Sequence, residues 1–299
     1  MSKPKVIAVV GPTSSGKTAL SIAIAKAFNG EVISADSRQV YIGMDLGTGK
    51  VTLDEMDGVP HHLIDIVDPM TVYTGADFKR DATTSLDDIL KRKRLPIIAG
   101  GTFFYIELLR GTMQAAPVEP DPIFRASLDV YSNTELFDIL KGKDAHRAVT
   151  IDQDNRRRLV RSLEIINKLG TVPEAVKTES DYNWLFIGID LEKKTLHKNI
   201  HTRLNDRLEA GMIEEIKGLH ETRVTWQRMA ELGLEYRYIA KYLQGEMTKE
   251  AMVQELETKT RQFAKRQLTW LKKDKEIEWF APQNREAILG RVETFLHQT

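Results

Sequence analysis

Val6 to Val10 form an unbroken apolar and largely β-branched run, VIAVV, closed by Gly11. Continuous apolar character, rather than alternation, predicts a central strand of a parallel sheet covered on both faces. The following TALSIAIAKAF places Leu20, Ile22, Ile24 and Ala25 among good helix formers, with Gly30 as the expected C-terminal stop. EVISAD (31–36), HHLIDIV (61–67) and LPIIAGG (95–101) are further strand candidates, and ADFKRDATTSLDDILKRK (76–93) reads as a helix between the last two. Strands alternating with helices predict an α/β fold with a doubly wound parallel sheet.

From about residue 112 the pattern changes. AAPVEPDP (115–122) leads into the helical stretches ELFDILKGKD (135–144) and NRRRLVRSLEIINKLG (155–170), with no strand between them. NWLFIGIDL (183–191) restores strand character, and 196–271 has helical periodicity. The expected organisation is a core of 1–111 and 183–299 interrupted by a helical insertion domain over 112–182. No internal repeat or low-complexity tract points to a solenoid or a linker.

Composition narrows the function classes. The chain has 299 residues, 41% hydrophobic and 29% charged, as expected of a globular protein. Its 43 basic and 43 acidic side chains cancel, so any attraction to nucleic acid must come from a local basic surface. The absence of cysteine excludes disulfides, thiolate metal sites and cysteine nucleophiles. The N-terminal apolar run is too short for a signal peptide or a membrane span, and no stretch approaches the ~18 apolar residues a span needs. A cytoplasmic protein with no membrane association is expected.

The chemistry begins at GPTSSGKT, Gly11, Pro12, Thr13, Ser14, Ser15, Gly16, Lys17 and Thr18, between a predicted strand and a predicted helix. In that context the spacing is a P-loop: backbone N–H groups cradle a phosphate, Lys17 supplies charge and the Thr18 hydroxyl can ligand Mg²⁺. The alternative is a tight turn made by glycines. The loop alone suits a small-molecule kinase or an RNA-binding ATPase, yet no strand ends in the aspartate pair or DxxG of motor and switch proteins. The second predicted strand ends instead in DSRQVY (36–41). Asp36 there reads as a helix cap, a Mg²⁺ partner or a catalytic carboxylate, and Thr102 in GGTFFY as an N-cap of the next helix. His61 and His62, adjacent in a strand, point to opposite faces and make a poor metal pair. Trp270 and Trp279 read as packing residues.

Seven segments in order carry a resemblance: GPTSSGKT (11–18), ISADSRQVY (33–41), YIGMDLGTGK (41–50), VPHHLIDIVDP (59–69), IIAGGTFFY (97–105), NRRRLVRSLEI (155–165) and TRQFAKRQLTWLK (260–272). Across nearly its whole length the chain resembles the tRNA dimethylallyltransferases, enzymes that prenylate the adenosine 3′ of the anticodon. It lacks the cysteine–histidine extension of some eukaryotic relatives and is closer to the compact bacterial type. Where the family carries a segment like AIGYKE, this chain has ELGLEYRYIA (231–240).

The resemblance implies a P-loop NTPase-like sheet whose loop grips the diphosphate of dimethylallyl diphosphate, with Mg²⁺, instead of a nucleoside triphosphate. It implies that Asp36 is the general base for adenine N6, that Thr102 lies beside the reacting centre, and that Arg203 reaches the diphosphate. On the sequence alone Arg203 could equally belong to a helix-surface charge ladder with Arg207 and Glu209. The implied tRNA contacts are Asp36, Ser37, Arg38, Gln39 and Thr102, then Arg125, Arg157, Arg158, Leu159, Val160 and Arg161, with Arg156 beside them, and Arg261, Lys265 and Arg266 on a C-terminal helix. For the arginine runs a solvated helix face is the bland alternative. The implied partners are the tRNA anticodon stem-loop and the prenyl donor, in a monomer with no protein partner.

Overall fold

The computed structural model describes residues 3–114, 116–173 and 178–298. Its first half runs β1 (Lys5–Val10), α1 (Lys17–Ala27), β2 (Gly30–Ser34), α2 (Leu53–Met56), β3 (His61–His62), α3 (Gly75–Lys91), β4 (Leu95–Gly100) and α4 (Phe103–Arg110). The helices α5 (Pro122–Ser127), α6 (Asn133–Lys143), α7 (Ala145–Thr150) and α8 (Arg156–Leu169) follow, and then β5 (Asn183–Ile189). The remainder is α9 (Lys193–Glu209), α10 (Met212–Thr222), α11 (Trp226–Leu232), α12 (Leu234–Leu243), α13 (Lys249–Leu271), β6 (Ile277–Phe280) and α14 (Arg285–His297). The chain divides into two compact units, one of Met1–Arg110 with Glu179–Thr299, the other of Gly111–Thr178. No helix among the described residues is long and apolar enough to cross a membrane.

The larger unit is built on a six-stranded sheet in the order β3-β2-β4-β1-β5-β6, every pairing parallel. Val6 to Val10 are all 0% exposed, so the continuous apolar run does mark the central strand. Ile7 sits opposite Ile97 of β4 and Leu185 of β5. One apolar cluster joins Ile7, Val9, Ile97 and Ile187 to Leu20 and Ile24 of α1 and to Ile288 and Val292 of α14. α3 packs against β2 and β4, its start fixed by a Thr74–Asp77 capping box. A helical cluster lies between Val40, Tyr41 and Met44 and the buried faces of α9 to α13.

This strand order sets the site. β2, β4 and β1 are neighbours, so the residues leaving their carboxyl ends, from Ala35, Gly101 and Gly11, emerge together on one edge of the sheet. Open α/β sheets bind ligands at that edge.

Three sequence expectations need correction. Gly30 is not the stop of α1: Asn29 takes the left-handed turn at φ 51°, and Gly30 opens β2, where a Cβ would stand 2.8 Å from the Leu95 carbonyl. HHLIDIV forms a strand only at His61 and His62, because Leu63 and Asp65 adopt positive φ of 62° and 54°. β6, which extends the sheet beyond β5, has only four residues and was not among the predicted strands.

In the smaller unit Leu128, Leu136, Leu140, Ile151, Leu159, Leu163 and Ile166 make the core. The insertion expected over 112–182 corresponds to Gly111–Thr178. Glu164 is 0% exposed and accepts both 2.8 Å bonds of a bidentate Arg125, the Asp121 N–H at 2.7 Å and the Arg161 guanidinium. Burial raises its pKa, but these donors outweigh burial and hold the carboxyl at about 2, against an ordinary 4.5. A folded pKa below the unfolded one contributes stability that is present above about pH 4.5 and lost as pH falls towards 2. Glu164→Gln, which leaves two partly exposed arginines without their carboxylate, should therefore destabilise this unit by about 1–3 kcal/mol at neutral pH. The gap between variant and parent should narrow on acidification, as read by hydrogen exchange of α8 amides at pH 7 and pH 3.

Candidate active site

The loop after β1 has the form a phosphate cradle needs. Ser14 takes φ 60° and Gly16, the N-cap of α1, takes φ 92°, turning successive backbone N–H groups inward. No side chain caps α1 and its first turn carries no acid, so its N-terminus is left for an anion. The Ser15 hydroxyl is buried with no hydrogen-bond partner, and a Cβ on Gly11 would stand 2.8 Å from it. Asn199 of α9 donates to the Ser14 carbonyl at 3.3 Å, and Gln267 of α13 accepts the Thr13 N–H at 2.9 Å.

Lys17 donates to the Pro12 carbonyl at 2.7 Å. Burial lowers its pKa to about 8; Asp36 pulls it up and Arg203 pushes it down. Burial likewise lowers Arg203 from its ordinary value, with Arg207 adding to the effect and Glu235 and Asp36 opposing it. The structure thus gathers Lys17, Asp36 and Arg203, from three distant stretches of sequence, within electrostatic reach. Two partly desolvated cations and one carboxylate leave a positive field over the cradle, the condition for holding an anion.

Asp36 and Thr102 are positioned by each other's loops. Thr102 N–H donates to the Ala35 carbonyl at 3.1 Å, and its Oγ1 accepts the Ser37 N–H at 3.1 Å. Asp36 Oδ1 accepts the Arg38 N–H at 2.9 Å. Gly100 permits this, because a Cβ there would overlap the Ala35 backbone. Gln39 lies one step further on: its Oε1 accepts from Ser34 at 3.2 Å and its Nε2 donates to the Gly49 carbonyl at 3.2 Å. The same carbonyl accepts from Arg203 at 2.8 Å, so the guanidinium is turned towards this loop and not along the helix towards Glu209. Gly49 has φ 59°, and a Cβ would overlap the Arg203 guanidinium.

Sequence reasoning missed the residues that hold this loop. Glu215, in the first turn of α10, accepts the N–H groups of Asp45, Leu46 and Gly47 at 3.0, 2.6 and 3.0 Å and the hydroxyl of Tyr236 at 3.0 Å. Arg207 donates to the Leu46 and Gly47 carbonyls at 3.1 and 3.3 Å and pairs with Glu235 at 3.1 Å. The divergent ELGLEYRYIA therefore supplies Glu235 and the fully buried Tyr236 as supports of the 41–50 loop. Such contacts have no spacing signature; the only sequence signal is two glycines in DLGTGK.

Other predicted residues fare differently. Leu159 is 0% exposed in the core of the smaller unit, and Val160 is half-buried against the same core. Arg125 and Arg161 are bound to Glu164, and Arg156 donates to the Tyr131 and Leu128 carbonyls at 2.7 and 2.8 Å. Arg157 and Arg158 are exposed on α8. On α13, Arg261 pairs with Glu257, while Lys265 and Arg266 are exposed, the latter 6.0 Å from the Phe263 ring centre. Trp270 is 37% exposed and meets Phe103 edge-on, so it is a surface residue and not a core one. His62 pairs with Glu31 at 2.7 Å and His61 with the Val59 carbonyl at 2.9 Å, both structural.

Comparison with known proteins identifies the family. The family model described as IPP transferase matches residues 39–274. A tRNA dimethylallyltransferase of Halalkalibacterium halodurans is 40% identical, over 93% of this chain and 91% of its own. The solved tRNA isopentenylpyrophosphate transferase of Bacillus halodurans is 37% identical with a TM-score of 0.74, over 98% of this chain and 96% of its own. A eukaryotic dimethylallyltransferase, solved acting on tRNA, is 29% identical with a TM-score of 0.78, over 93% and 74% of the two chains. With its parallel sheet, its P-loop and this likeness along its length, the chain belongs to the IPP transferase family.

Proposed function

We propose that this chain transfers a dimethylallyl group from dimethylallyl diphosphate to N6 of the adenosine next to the anticodon of a tRNA, releasing diphosphate. One observation carries the reading: a phosphate cradle with surplus positive charge from Lys17 and Arg203 stands beside a carboxylate, Asp36, and a hydroxyl, Thr102, on adjacent strand ends. A phosphate-binding loop alone serves many reactions. A carboxylate on the neighbouring strand end, in a chain whose relatives are named for prenyl transfer to tRNA, favours this one over a small-molecule kinase.

In the reaction N6 attacks the allylic carbon while the bond from that carbon to the diphosphate oxygen breaks. The proton released from N6 passes to Asp36, and the charge on the leaving diphosphate is met by the loop N–H groups, Lys17 and Arg203. Thr102, bonded to the Ser37 N–H, fixes the backbone that presents Asp36. Gln39 would exchange its bond to Gly49 for an adenine edge. A stacked loop base must be turned out of its stack to reach such a position.

The residues present fit a Mg²⁺ ion held largely by substrate. Thr18 is an exposed residue in the first turn of α1, directly after the loop and Lys17, and no group of three or more metal-binding side chains stands together among the described residues. Thr18, phosphate oxygens and water would then complete its shell. When bound, the ion supplies neutralisation of the leaving diphosphate.

Purified protein given labelled dimethylallyl diphosphate, Mg²⁺ and unmodified tRNA should transfer label to RNA; phosphorylation of a small alcohol from ATP without such transfer would overturn the reading. Asp36→Ala should retain tRNA binding and lose about 10²- to 10⁴-fold in turnover, and unchanged turnover would remove Asp36 from the mechanism. Because Lys17 is charged only below its lowered pKa of about 8, kcat/KM for the donor should fall as pH rises past that value. Lys17→Arg, which stays charged, should flatten that limb even if its overall activity is lower. Binding of tRNA should weaken steeply with salt, and Lys265→Ala or Arg158→Ala should each reduce the slope by about 1.

A further inference from the structure

Gln267 is half-buried on α13, where Ala264 and Leu268 of the same helix pack against Leu196 and Ile200 of α9. Its Oε1 accepts the Thr13 N–H of the P-loop at 2.9 Å, and its Nε2 donates to the Gly101 carbonyl, one residue before Thr102, at 2.9 Å. The network fixes the amide orientation: the reverse would set an N–H against an N–H and a carbonyl against a carbonyl. One planar group therefore spans the loop after β1 and the loop after β4.

Gly101 supports the same reading from the other side. It is not among the glycines with positive φ, so its backbone does not require glycine. A Cβ at this position would stand 2.6 Å from Gln267 Nε2. The absence of a side chain at 101 is what lets the amide approach. Only a side chain with a donor and an acceptor at fixed separation completes both bonds: a carboxylate would turn a second acceptor on the Gly101 carbonyl, and alanine would leave both backbone groups without this partner.

We propose that Gln267 is a positioning residue for the transfer, setting the separation between the diphosphate cradle and the Thr102–Asp36 edge of the site. The proposal rests on the reading of the P-loop as the donor's diphosphate site. Gln267 touches no reacting atom in this role. It acts through Thr13 and Gly101, and a displacement of about 1 Å at a reacting centre can cost on the order of 10²-fold in rate.

The test uses Gln267→Ala, Gln267→Glu, Gly101→Ala and the double variant Q267A/G101A in the full chain, with kcat and the donor KM measured at saturating tRNA and the melting temperature recorded alongside. Gln267→Ala should lose about 10- to 10²-fold in kcat/KM for the donor. Gly101→Ala should lose a similar factor in the parent and nothing further in the Gln267→Ala background, where the space has been vacated. Gln267→Glu should be the poorest at pH 8 and recover relative to the parent as pH is lowered to 5.5, because protonation restores a donor towards Gly101; a purely structural role would not move this profile. Wild-type kcat/KM in both Gln267 variants, or an equal cost of Gly101→Ala in both backgrounds, would overturn the proposal. Calorimetric binding of inorganic diphosphate with Mg²⁺ separates the two failures. If the parent transfers no prenyl group, the functional reading falls, while Gln267 still stands or falls on whether Gln267→Ala weakens diphosphate binding.

Discussion

Two half-buried cations beside one carboxylate are the constraint on which the larger unit depends. Burial disfavours the charged form of both Lys17 and Arg203, Arg203 adds to the effect on Lys17 and Arg207 to that on Arg203, and Asp36 offsets part of the cost at each. Such an arrangement persists only if the surrounding backbone holds it. Lys17 is held by the Pro12 carbonyl, and Arg203 by the Gly49 carbonyl, which in turn depends on the loop fixed by Glu215, Arg207 and Tyr236. The site is thus reached from the sheet on one side and from four helices on the other, α9, α10, α12 and α13.

What could be read from the sequence was local. The apolar run VIAVV, the loop GPTSSGKT and the helix after it lie next to one another in the chain, so spacing alone identifies them. Asp36 and Thr102 could be placed at strand ends for the same reason. What could not be read was non-local and directed at backbone. Asn199, Glu215 and Gln267 bind main-chain groups of loops roughly 170 to 250 residues away in sequence, and the identity of such a partner leaves no motif. β3 and β6 were misjudged because two- and four-residue strands are too short to show a period, and because left-handed Leu63 and Asp65 cut the first of them off.

Basic residues give the opposite lesson. NRRRLVRSLEI looks like one cationic surface, yet its arginines divide by the partners they meet. Arg161 turns towards buried Glu164 and Arg156 towards carbonyl oxygens, and both are half-buried, whereas the residues Arg157 and Arg158 are exposed. Successive side chains of a helix project about 100° apart, which puts Arg161 between Arg157 and Arg158 in phase, so it is the buried Glu164 carboxylate that withdraws Arg161 from the cationic face.

That angular rule has a further consequence for α13. The helix is a single stretch of 23 residues that carries the buried Ala264, the exposed Lys265 and Arg266, and Gln267 in immediate succession. It works as a ruler: the regular rise and turn of the helix set the angle and distance between the surface that meets solvent and the amide that spans two active-site loops. Length changes that a surface loop absorbs by bulging would here rotate every later side chain by about 100° per residue. The helix can therefore vary in what it displays on its outer face, while its count of residues is locked to the chemistry beneath it.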